Sequence, residues 1–174
     1  CKWGQPVIRT NCDREVKSVP FAPFKDQLEG GLSSDIIRLE RKIATYAVQI
    51  EALNDDIEDT VEKIDETKDK LEAKHGEFKA GTERLNTVGV WIDDLRGQKS
   101  AIEDELSSGS DEELEMMLDQ VKSDIDRFTA EADDLNAKLG TLVQEINSLE
   151  ATLEALAHEY AKTRAALEAA QNAK

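Results

Sequence analysis

The chain has 174 residues, with 22 basic and 38 acidic side chains and a net charge of -16. Phosphate binding needs clustered Lys and Arg, so this balance argues against nucleic acid and against an anionic membrane surface as partners. Aromatic residues make up 5%, charged residues 34%, and there are 3 prolines. That mixture suits long helices with solvated flanks rather than a compact globule with a large aromatic core. No apolar run approaches the ~18 residues needed to span a bilayer, so no transmembrane segment is expected.

The charge is unevenly placed. Residues 1–32 hold five basic and four acidic side chains, and the other 142 residues carry the excess of acid. This first stretch also holds Pro6, Pro20, Pro23, Gly4, Gly30 and Gly31, and lacks helical periodicity. It is expected to be an irregular head, 1–32, lying as a strap with Trp3, Phe21 and Phe24 as anchors. Cys1 and Cys12 allow three readings. They could form a disulfide in an oxidising compartment, remain free thiols, or, at Cys1, carry lipid as bacterial lipoproteins do.

A heptad pattern begins at Ile36. One position reads Ile36, Ile43, Ile50, Ile57, Ile64, Leu71, Phe78, Leu85, Ile92, Lys99 and Leu106. Its companion includes Leu39, Tyr46, Leu53, Val88, Leu95 and Ile102, with Thr60, Thr67, Lys74 and Gly81 as weaker members. These are the a and d positions of a coiled coil, sustained over many more heptads than a confident assignment requires. A first long helix over 33–107 follows. Gly76, Gly81, Gly89 and Gly97 each disfavour helix by roughly 1 kcal/mol relative to Ala, so a break near 76–97 is the alternative to a continuous helix.

Ser108–Ser110 form a turn, with Ser110 and Glu113 spaced as a capping box that opens a second helix over 111–174. Its a positions run Leu118, Ile125, Ala132, Leu139, Ile146, Leu153, Tyr160 and Leu167, and its d positions include Leu114, Val121, Phe128, Leu135, Leu142 and Leu149. A connection this short makes the two helices antiparallel neighbours. The expected fold is therefore all-α, a long antiparallel helical hairpin with an N-terminal strap. Pairing positions whose numbers sum to 220 sets a layers against d layers. Ile92 then meets Phe128, Phe78 meets Leu142, Leu71 meets Leu149 and Gly81 meets Leu139. Ile36, Leu39 and Ile43 run beyond this pairing and need another surface, which the head folded back on them or another subunit could supply. Ile37, Val48, Val61, Val90 and Trp91 lie off the seam, and the second helix ends Ala-rich, which suggests a second packing face.

No catalytic constellation is readable, and the expected class is non-enzymatic. His75 and His158 fall outside the seam, and neither a zinc-binding nor a phosphate-binding motif is present. Acidic runs at Asp55, Asp56 and Asp59, and at Asp111 and Glu112, are the candidate metal ligands. Calcium favours such oxygens, but no loop that wraps an ion is present. Multi-site neutralisation of acidic faces by calcium is the expected form of any cation effect, and no other cofactor is expected.

The stretch Ile43–Leu95, with Ile57-Glu58-Asp59 and Lys74-His75-Gly76-Glu77-Phe78, and the stretch Leu149–Leu167, with His158-Glu159-Tyr160, resemble the matrix proteins of ciliate trichocysts and mucocysts. The resemblance covers residues 35–174. It implies a processed, secreted or lumenal coiled-coil subunit that packs with itself or other helical subunits into a calcium-responsive granule lattice. Two other readings remain: a periplasmic, membrane-anchored lipoprotein acylated at Cys1, and a linker that clamps a large complex.

Overall fold

The computed structural model describes residues 22–173, with side chains from Lys25 onward. They form two helices that pack against each other as a hairpin, α1 (Ala22–Ser107) and α2 (Glu112–Asn172). Cys1, Cys12, Trp3 and Phe21 lie outside the described residues, as does the side chain of Phe24.

Helix α1 starts eleven residues before the expected boundary at 33. Pro23 falls in its first turn, where the missing N–H would have no intrahelical acceptor anyway. Gly30 and Gly31 lie inside the helix, and no described glycine has a positive φ. Two glycines weaken a helix without ending it unless the chain must turn there. The heptad d position also continues one step back, from Leu39 to Leu32. The irregular head therefore cannot extend to residue 32.

The break considered near 76–97 is not present, since α1 runs through that segment as one helix. The reason lies in the seam. Thr67, Val88, Ile92 and Ile102 are all buried at heptad positions, and a break would move the later ones off the stripe that α2 covers.

The turn differs from the expected capping box by one residue. Asp111, not Ser110, is the N-cap: its Oδ1 accepts from the backbone N–H of Glu113 at 2.9 Å and of Leu114 at 3.4 Å. Leu114 then holds the third helical position, so no Glu reaches back and the box is not formed. Glu112, Glu113 and Glu115 in the first turn complement the positive helix start. At the end of α1, Ser107 Oγ donates to the Asp104 carbonyl at 2.6 Å and Ser108 Oγ to that of Glu105 at 2.7 Å. The Glu105 carbonyl also accepts from the Ser108 backbone N–H at 3.2 Å, and that of Leu106 from the Gly109 N–H at 3.3 Å, so the last turn closes with tighter three-residue bonds.

The described chain divides into two compact units. One comprises Ile57–Thr163. The other joins the residues up to Asp56 with those from Arg164 onward. All the buried side chains among the described residues belong to the Ile57–Thr163 unit: Thr60, Thr67, Val88, Ile92, Ile102, Val121 and Ile146. Each sits at an a or d position. None of the second unit's described side chains is buried, and its half-buried ones are Tyr46, Ile50, Leu53, Leu167 and Ala170. These too are a or d positions.

Asp111→Ala should lower the stability of the hairpin by about 1 kcal/mol, the usual worth of an N-cap. Ser110→Ala should leave it nearly unchanged. Urea unfolding followed by circular dichroism checks both, and an equal loss in the two variants would contradict the cap assignment.

Candidate interaction surface

Within the Ile57–Thr163 unit the seam is closed by apolar layers and by two ion pairs that join the helices. Val88 is fully buried, with Ile92, Ile102, Val121 and Ile146 each at 7–8% exposure. Phe78, Phe128, Leu142 and Leu149 are half-buried on the same stripes. Gly81 approaches α2 closely: a Cβ built there would lie 2.9 Å from Cδ2 of Leu139. A glycine opposite a leucine is a layer in which the large side chain fills the space left by the small one. This contact sets residue 81 against residue 139, so these two positions are in register.

The polar members of the stripe are handled locally. Thr67 Oγ1 donates to the Lys63 carbonyl at 2.7 Å, which removes the cost of burying its hydroxyl. Lys74 occupies a d position, and its Nζ leaves the seam to meet Glu145 Oε2 at 2.9 Å and Glu77 Oε2 at 3.5 Å. The hydrogen bond to Glu145 is the main cause that raises the Lys74 pKa above its ordinary value. A long methylene stem lets a lysine lie along apolar surface while its charge reaches water and a carboxylate.

Arg84 Nε donates to Glu131 Oε1 at 2.7 Å across the same pair of helices, and that bond raises its pKa. The Arg84 guanidinium also lies 4.8 Å from the centre of the Trp91 ring. Trp91 in turn meets Phe128, ring centres 5.2 Å apart and tilted by 58°. Arg127 stands over the other aromatic, 4.7 Å from the Phe128 centre. Sequence reading placed Trp91 off the seam and missed this cluster. Its signal was Trp91's position just before the a residue Ile92, from which a large ring can reach around the seam edge.

The remaining candidate residues do not converge. Asp55, Asp56 and Asp59 are exposed along α1, and Asp111 and Glu112 are exposed at the start of α2, with Asp111 engaged as the cap. Among the described residues, no group of three His, Cys, Asp or Glu side chains is arranged to hold a metal ion. His75 and His158 are exposed. The hydroxyls of Thr45, Thr82, Thr87, Thr141 and Thr152 each donate to the carbonyl four residues back, which is a helix-surface role. No described helix is long and apolar enough to cross a membrane.

The seam residues Ile36, Leu39 and Ile43 behave differently from the others. They are 49–55% exposed, as are their neighbours Leu28 and Leu32 at 60–61%. From Lys25 to Thr45 every described side chain is exposed, and Tyr46 is the first that is half-buried. This stripe is the largest run of exposed apolar side chains at heptad spacing in the described chain. Met116 and Met117, at 70% and 55%, form a smaller exposed pair near the turn.

Val88→Asp should cost on the order of 3 kcal/mol, because it leaves a charge unpaired in the seam. Val90→Asp, two residues away at 59% exposure, should change stability by less than about 0.5 kcal/mol. Equal melting temperatures for the two variants would contradict the seam. Gly89 has nothing within 4 Å of its would-be Cβ, so Gly89→Ala should stabilise by about 1 kcal/mol through helix propensity. Gly81→Ala should gain less, since Leu139 must move aside. Denaturant midpoints rank the two, and a larger gain at Gly81 would overturn the close approach. No family model matches the chain, and neither the curated proteins nor the solved structures contain a match.

Proposed function

We propose that the protein is a non-catalytic structural subunit whose helices assemble it into a larger lattice, of the kind that fills calcium-responsive secretory granules. The observation that carries this reading is the exposed stripe Leu32, Ile36, Leu39 and Ile43, which continues the heptad phase of the covered seam, with Leu28 exposed beside it. An apolar stripe of this length is unfavourable in water and favourable against another helix. A secreted or lumenal location goes with this role.

The acidic surface supplies the control. Residues 46–174 carry 14 basic against 32 acidic side chains, so neighbouring copies repel one another at low ionic strength. Divalent cations weaken that repulsion by neutralising scattered carboxylates, without any single tight site. Exposed clusters such as Asp55, Asp56 and Asp59 suit this use.

Millimolar calcium should therefore raise the average mass of the purified chain, and a chelator should lower it again. Light scattering in low-salt buffer reads both changes. Magnesium should act in the same direction, because the effect is one of charge rather than of a shaped cage. A mass that stays at the monomer value under every cation condition would remove the lattice reading.

A further inference from the structure

The exposed stripe of α1 has a charge pattern of its own. Residues 25–45 hold four basic and four acidic side chains, so this segment is neutral in a chain of net charge -16. The charges are also sorted along it. Lys25, Asp26, Glu29 and Asp35 leave the first half at -2, and Arg38, Glu40, Arg41 and Lys42 leave the second half at +2. Arg38, Arg41 and Lys42 line a shallow groove with Thr45, Tyr46 and Gln49. The segment thus pairs an apolar stripe with a charge gradient that runs along the helix.

We propose that two copies of the chain pair antiparallel through residues 29–46, an inference that rests on the self-assembly reading and names its first contact. In this pairing a meets d when residue numbers sum to 75. Ile36 lies opposite Leu39 of the second copy and Leu32 opposite Ile43, and the two-fold axis repeats both layers. The acidic half of each copy then covers the basic half of the other. Asp35 and Lys42 occupy g positions, which neighbour each other across an antiparallel pair, and the symmetry forms the Asp35–Lys42 contact twice.

A parallel arrangement fails on the same charges. It would set acidic half on acidic half, and Asp35 in a g position beside Glu40 in the e position of the second copy. Like charges across a seam disfavour that register. The seam that holds the hairpin is continuous in phase with the seam that would hold the pair.

The test uses the full chain in three forms beside wild type: Asp35→Lys, Lys42→Asp, and the double exchange. All of these side chains are exposed, so the melting curves should match wild type and serve as a folding control. In sedimentation velocity at low salt, each single variant should self-associate roughly tenfold more weakly, since two attractive contacts become repulsive. The double exchange should recover wild-type association. A mixture of the two single variants should also recover it, because each supplies the charge that the other lacks. Wild-type association that is unchanged in the single variants, or singles that neither the double exchange nor mixing rescues, overturns this pairing and leaves self-assembly through another face. A wild-type chain that remains monomeric at all concentrations, with and without calcium, overturns both.

Discussion

Burial of one heptad stripe between two helices is the constraint on which the rest of the structure depends. A two-helix hairpin has a single seam, and every buried side chain described here lies on it. Such a seam cannot enclose the thick core of a layered domain, so stability comes from many thin layers in sequence. That is why α1 passes through four glycines in 22 residues without breaking. Leaving the helix there would take Val88, Ile92 and Ile102 off the apolar stripe that α2 covers.

Imperfect layers survive because each has a local solution. Gly81 makes room for Leu139, and Thr67 turns its hydroxyl back on the carbonyl of Lys63. Lys74 keeps its stem near the seam and extends its charge to Glu145. Trp91 lies beside the stripe and reaches Phe128, with Arg84 over its face. These devices make a long repeat unambiguous. A uniform leucine seam would tolerate a shift by one heptad, whereas a glycine that must meet a leucine tolerates none.

The outer faces follow a different logic. Charges fill the positions that the seam does not use, and acid predominates from residue 46 onward. The i,i+3 and i,i+4 pairs, such as Lys138 with Asp134 at 2.7 Å, add a few tenths of a kcal/mol each to the helices. In the proposed assembly the excess of acid from residue 46 onward keeps copies apart until cations screen it, and the neutral segment 25–45 is where approach is least opposed. The described hydroxyls and histidines are dispersed along the helices.

Much of the architecture was legible in the residues alone. Heptad spacing identified the seam, the Ser-Gly-Ser segment located the turn, and the two together implied an antiparallel hairpin. These are local properties: a side-chain period of 3.5 residues and a short polar connection allow few other solutions. The start of α1 at Ala22 was not legible, because Gly30 and Gly31 look like an ending unless the helix is seen to continue through them. The N-cap was misplaced by one residue because Ser110 and Asp111 can both cap, and only the path of the turn decides which side chain faces the free amides. The Trp91–Phe128 and Lys74–Glu145 contacts required tertiary structure for a more general reason. They join side chains 37 and 71 positions apart in sequence, and which residues at a seam's edge meet depends on the rotation and register of two helices together, not on the pattern of either one.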